Sequence, residues 1–127
     1  MKYALLIYTK PGAIDGFTPS EMESMSAEYF ALRAEPTCLD GAQLEDVANA
    51  TTVRVDDGRT LTTDGPFAET KEVFAGYYLF ELDNLDAAIE LAARIPAARL
   101  GGSVEVRPLV EAHTAAGNEA PRAASAR

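Results

Sequence analysis

Two carboxylates, Asp64 and Asp40, are the residues of this sequence best suited to acid–base chemistry. Asp64 opens the run Asp64-Gly65-Pro66, where a carboxylate at a pocket mouth could act as a general base or orient a ligand. The same tripeptide is also turn chemistry: Asp folds back on backbone N–H groups, Gly takes a positive φ and Pro sets the next one. Asp40 falls inside a strand-like run, where a carboxylate is out of place unless it faces a cavity, a partner or water. Asp64 and Asp40 are therefore the candidate catalytic pair. Cys38 shares Asp40's face if that strand is regular, but a cysteine nucleophile needs a base and no histidine is near it in sequence. It reads as a small buried hydrophobe.

Candidate substrate-binding residues are Tyr8, Lys71 and Arg99. Tyr8 ends the first apolar run and offers a phenol and a flat wall; Tyr29, Tyr77 and Tyr78 read as core residues with their hydroxyls at its edge. Lys71, beside Glu69 and Glu72, could bind an anionic or carbonyl group, although neighbouring loop charges are ordinarily a solvated face. Arg99 sits between a helix and a strand, where it could take a carboxylate. Arg107 shares a strand face with Glu105, two residues away, which predicts an intramolecular or subunit-bridging ion pair.

Several function classes are disfavoured. The net charge of −9 repels phosphates and anionic lipid heads, so neither nucleic acid nor membrane is an expected partner. One cysteine and one histidine make no Cys/His zinc site, and no Gly-rich phosphate loop precedes the first helix, so no cofactor is expected. The apolar run from Tyr3 to Tyr8 is too short for a signal-peptide core or a membrane span, and a lone cysteine suits a reducing compartment; the expected location is cytoplasmic.

The elements that position these residues follow from pattern and caps. Lys2 to Thr9 reads as a buried strand, and Thr18-Pro19-Ser20-Glu21 starts a helix to Glu35 with Met22, Met25, Tyr29 and Leu32 on its apolar face. Thr37 to Leu44 reads as a second strand. Thr51 to Asp56 and Arg59 to Thr63 form a hairpin about Asp57-Gly58. Val73 to Leu82 is a long strand. Asn84 caps a second helix with the stripe Leu85, Ala88, Ile89, Ala92 and Ile95, and Ser103 to Leu109 is the last strand. The expected fold class is α+β, a ferredoxin-like βαββαβ with an inserted β-hairpin, over a domain at 1–110; residues 111–127 read as a flexible tail. Both helices would cover one sheet face. Val53, Tyr77, Leu79 and Val104 would leave the other apolar, which predicts a homodimer packed sheet to sheet.

The stretch Thr62-Thr63-Asp64-Gly65-Pro66-Phe67-Ala68-Glu69-Thr70-Lys71-Glu72 resembles the signature segment of the YCII-related family, DGPF-motif subgroup. Similar stretches flank it: Lys2 to Tyr8, Ala50 to Arg54, Gly76-Tyr77-Tyr78, Pro96 to Arg99 and Val104 to Pro108. The resemblance implies a dimeric α/β-barrel of two ferredoxin-like subunits. It also implies either an enzyme, on the strength of a His–Asp pair in a pocket and of relatives such as dehydrochlorinases, or a companion of extracytoplasmic-function sigma factors. Here the first helix has no histidine and His113 falls in the tail, so the His–Asp chemistry does not carry over. Two functions are expected in turn. One is a cofactor-free lyase, isomerase or monooxygenase-like enzyme for a small aromatic or polyketide-like ligand, with Asp40, Asp64 and Tyr8 converging on a pocket. The alternative is a non-catalytic ligand-binding or regulatory interaction protein.

Overall fold

The computed structural model describes residues 1–111; the expected tail beyond Glu111, with His113, lies outside the described residues. The elements run β1 (Lys2–Thr9), α1 (Pro19–Arg33), β2 (Cys38–Gln43), β3 (Thr51–Asp56), β4 (Arg59–Asp64), β5 (Val73–Glu81), α2 (Leu85–Ala93) and β6 (Ser103–Pro108), with single 3-10 turns at Val47–Asn49 and Pro96–Ala98. Among the described residues the fold is a mixed α+β arrangement with two helices and two antiparallel sheets: four strands in the order β2-β5-β1-β6, and the pair β3-β4 by itself.

Local chemistry sets the element ends. Thr18 accepts from the Glu21 N–H at 3.1 Å while the Glu21 carboxylate accepts from the Thr18 N–H at 2.8 Å, and Pro19 occupies the first turn, where its missing N–H costs nothing. The Asn84 side chain caps α2 through the Ala87 N–H at 2.9 Å. Asp57 and Gly58 both take positive φ, 52° and 76°, as a tight hairpin turn with right-handed strand twist requires.

Register decides what each sheet face presents. Cys38, Phe80, Tyr3 and Pro108 form one rung of the helix-covered face, and Gly41, Tyr78, Leu5 and Val106 the next. Tyr3, Leu5, Ile7, Tyr78 and Phe80 pack there with Leu32 of α1 and with Ala88, Leu91, Ala92 and Ile95, so both helices lie on this face. The opposite face carries Leu79, Ala4 and Arg107 in one rung and Ala42, Tyr77, Leu6 and Glu105 in the next.

Three expectations are corrected. Val104 pairs with Ile7 and packs on the helix side; alternation along a strand does not say which set faces inward until a neighbour fixes it. Val53 belongs to the separate two-stranded hairpin and is not a residue of the main sheet's open face. In α2 the buried series is Ala88, Leu91 and Ala92, continued by Ile95 just beyond its end, whereas Leu85 and Ile89 are half exposed. At about 100° per residue those two fall on the flank of that stripe.

Candidate functional site

At the end of the sheet where β1 finishes and β5 and β6 begin, an open cleft of about 340 Å³ is lined by Tyr8, Glu72, Ser103, Val104 and Glu105. A β-bulge creates the rung beneath it. Ile7 pairs with Gly76 but Tyr8 pairs with Phe74, so Ala75 is the extra residue and the Tyr8 and Phe74 rings meet at 5.5 Å. On the other side Tyr8 pairs with Ser103, directly after Gly101-Gly102. Gly102 is needed there, because a Cβ on it would lie 2.2 Å from the Tyr8 carbonyl oxygen.

Each hydroxyl in the cleft is matched to a carboxylate. The Tyr8 phenol donates to Glu105 Oε1 at 3.4 Å, a long bond, and the Ser103 hydroxyl donates to Glu72 Oε1 at 2.6 Å. Glu105 also pairs with Arg107 at 2.9 Å, the ion pair anticipated from their spacing. Glu72 arrives from the loop ahead of β5, which the Thr70 hydroxyl braces by donating to the Glu72 carbonyl. Carboxylates hydrogen-bonded to O–H groups beside an aromatic pair can accept and return protons on a small ligand lying against those rings.

Of the five residues singled out in the sequence, the cleft holds Tyr8. Asp40 does not share a face with Cys38: β2 bulges between them, so Cys38 pairs with Phe80 and Asp40 with Leu79. Asp40 lies on the exposed sheet edge, accepting from the Gly41 N–H at 2.8 Å and facing Arg33 at 3.8 Å. Asp64 is exposed at the end of β4, paired with Thr51; Gly65 follows with φ 90° and donates to the Ala50 carbonyl at 2.7 Å. Asp64-Gly65 thus closes the hairpin, and the structure does not bring Asp40, Asp64 and Tyr8 into one pocket. Lys71 is exposed in the loop beside Glu72. Arg99 is held by Glu28 at 2.6 Å, a contact that lowers the Glu28 carboxyl below its ordinary pKa and raises the guanidinium. Sequence reasoning missed Ser103, and gave Glu72 and Glu105 other roles. The available signal was the double glycine before β6, which marks a close approach of two strands.

A YCII-related domain model matches residues 1–113. The chain belongs to the YCII-related domain family. This YCII-related chain is 34% identical over 116 residues to an uncharacterized protein of Rhizobium meliloti (strain 1021), spanning 86% of this chain and 92% of that relative. Among solved structures it aligns with 5-chloro-2-hydroxyhydroquinone dehydrochlorinase from Burkholderia phenoliruptrix AC1100, in complex with 2,5-dihydroxybenzoquinone. That alignment covers 87% of this chain and 94% of that one, at 13% identity and a TM-score of 0.49. Among the described residues of this YCII-related protein, no helix is long and apolar enough to cross a membrane.

Proposed function

We propose that this YCII-related protein, of the DGPF-motif subgroup, is a cofactor-free acid–base catalyst, a lyase or isomerase, for a small aromatic or polyketide-like molecule. In this reading its ferredoxin-like subunit works as a homodimer closed into a dimeric α/β-barrel. The strand order β2-β5-β1-β6, with both helices on one face, supports the ferredoxin-like layout. The open face, with Ala4, Leu6, Tyr77 and Leu79 at its centre, supports a second subunit packed on it.

The observation that carries the catalytic reading is the pairing of Tyr8 with Glu105 and of Ser103 with Glu72 in one cleft beside Phe74. Glu105 would take a proton from a carbon acidified by a neighbouring carbonyl or phenol, and Tyr8 would supply one to the oxygen or leaving group. Asp64 and Lys71, on the hairpin and loop leading to Glu72, would serve at the rim. The test is turnover of a panel of hydroxylated aromatics and β-diketones, read as solvent deuterium incorporation by mass spectrometry. Glu105→Gln is expected to reduce incorporation at least 100-fold and Tyr8→Phe about 10- to 100-fold. Incorporation that survives both changes would remove this cleft from the chemistry.

One observation favours the second reading, a non-catalytic ligand-binding or regulatory protein: among the described residues, tyrosines apart, no polar or charged side chain is buried. Ligand-dependent stabilisation of the wild type with no exchange across the panel would decide for it.

A further inference from the structure

The β3-β4 hairpin stands apart from the rest of the chain. All of β4 and nearly all of β3 are exposed, and their packing is essentially with each other. Register puts Val53 and Val55 on one face, opposite Thr62 and Thr60, and these valines are 58% and 69% exposed. Phe67, just beyond the hairpin, is 77% exposed. A two-stranded ribbon alone is marginal in water and gains its stability from something packed on one face.

We propose that this hairpin is an arm that docks through Val53 and Val55 on a second copy of this chain, walling the cleft end of the partner's sheet. The inference rests on the dimer reading above and goes beyond sheet-to-sheet packing. Area selects the occupant. Four strands about 4.8 Å apart, over three rungs about 6.8 Å apart, give an open face on the order of 300–400 Å². A stable interface needs about 800 Å² from each partner. Sheet packing alone falls short of it. A hairpin of six residue pairs adds on the order of 200 Å² as the arm given, and as much again as the arm received. The root of the arm lies at the cleft. β2 ends with Gln43 opposite Gly76, Leu44 donates to the Ala75 carbonyl, and the returning chain passes through Glu72 into Val73, which pairs with Thr9. An arm exchanged between subunits would thus complete an otherwise open site.

The experiment combines sedimentation equilibrium with a photo-cross-link. The wild type is expected to be a dimer, and Val53→Asp with Val55→Asp to raise the dissociation constant at least about 100-fold while the near-ultraviolet circular dichroism of the body persists. Independently, a benzophenone maleimide on Val55→Cys, in a Cys38→Ser background, is expected to give cross-linked peptides of mixed isotope when 14N and 15N chains are co-refolded. A dimeric wild type whose double variant associates equally well overturns the arm and leaves the sheet-packed dimer standing. Cross-links confined to chains of one isotope also overturn it. A monomeric wild type overturns the dimer itself, and the arm with it. Should the double variant fail to fold, the cross-link alone decides.

Discussion

The four-stranded body and the β3-β4 hairpin are both antiparallel β-structure, yet they are held by different forces. In the body Leu5, Phe80 and Ile95 are wholly buried, and the inward residues of the sheet share one core with Leu32 of α1 and with Ala88, Leu91 and Ala92 of α2. In the hairpin the order comes from ladder hydrogen bonds and a turn whose two residues already favour positive φ. Burial supplies stability in the first region, and backbone geometry supplies shape in the second. A region shaped without being buried is free to serve as a contact, and the cleft sits where the two regions join.

The sharpest way to break this contrast is a pair of truncations. Phe80→Ala is expected to cost about 3–5 kcal/mol in urea unfolding, through lost burial and a residual cavity. Val55→Ala, measured where the chain is monomeric, is expected to change stability by less than about 0.5 kcal/mol. Equal costs would mean that the hairpin is part of the core.

Two glycines make a finer contrast. Gly102→Ala places a Cβ against the Tyr8 carbonyl, forces β1 and β6 apart, and is expected to cost about 1–3 kcal/mol while disturbing the cleft. Gly58→Ala meets no atom within 4 Å; its positive φ of 76° alone sets the cost, about 1 kcal/mol. Thermal unfolding of the two variants gives the order, and a larger loss at Gly58 would reverse the assignment.

A further effect is confined to alkaline pH. Burial pushes the Tyr78 phenol up to about 12, while its hydroxyl donates to the Tyr29 carbonyl at 2.7 Å. The unfolded chain gives up that proton near 10. Tyr78's contribution is therefore complete below pH 10 and is lost as pH rises from 10 towards 12. Urea titrations across that window are expected to show the gap between wild type and Tyr78→Phe narrowing. Parallel curves would show that the phenol is not held by the core.

The cleft was less legible than the elements around it. Tyr8 stood out because it ends an apolar strand, and the Glu105–Arg107 pair because the two residues are close in sequence. Ser103 and Glu72 gave no such sign: 31 residues separate them, and they meet only because β6 and the loop before β5 converge on β1. Asp64 drew attention through a run that its neighbours use to close a hairpin.

Sequence by itself determined what depends on neighbours along the chain. The capping box at Thr18, the Asp57-Gly58 turn and the order of strands and helices are local, since each is set by a few adjacent side chains acting on their own backbone. Tertiary structure alone decided the phase of each strand, and with it the face taken by Val104 and by Asp40. It also decided the bulge that sets Tyr8 against Phe74. Those are properties of pairing between distant strands, and a one-residue difference in register moves every side chain to the opposite face.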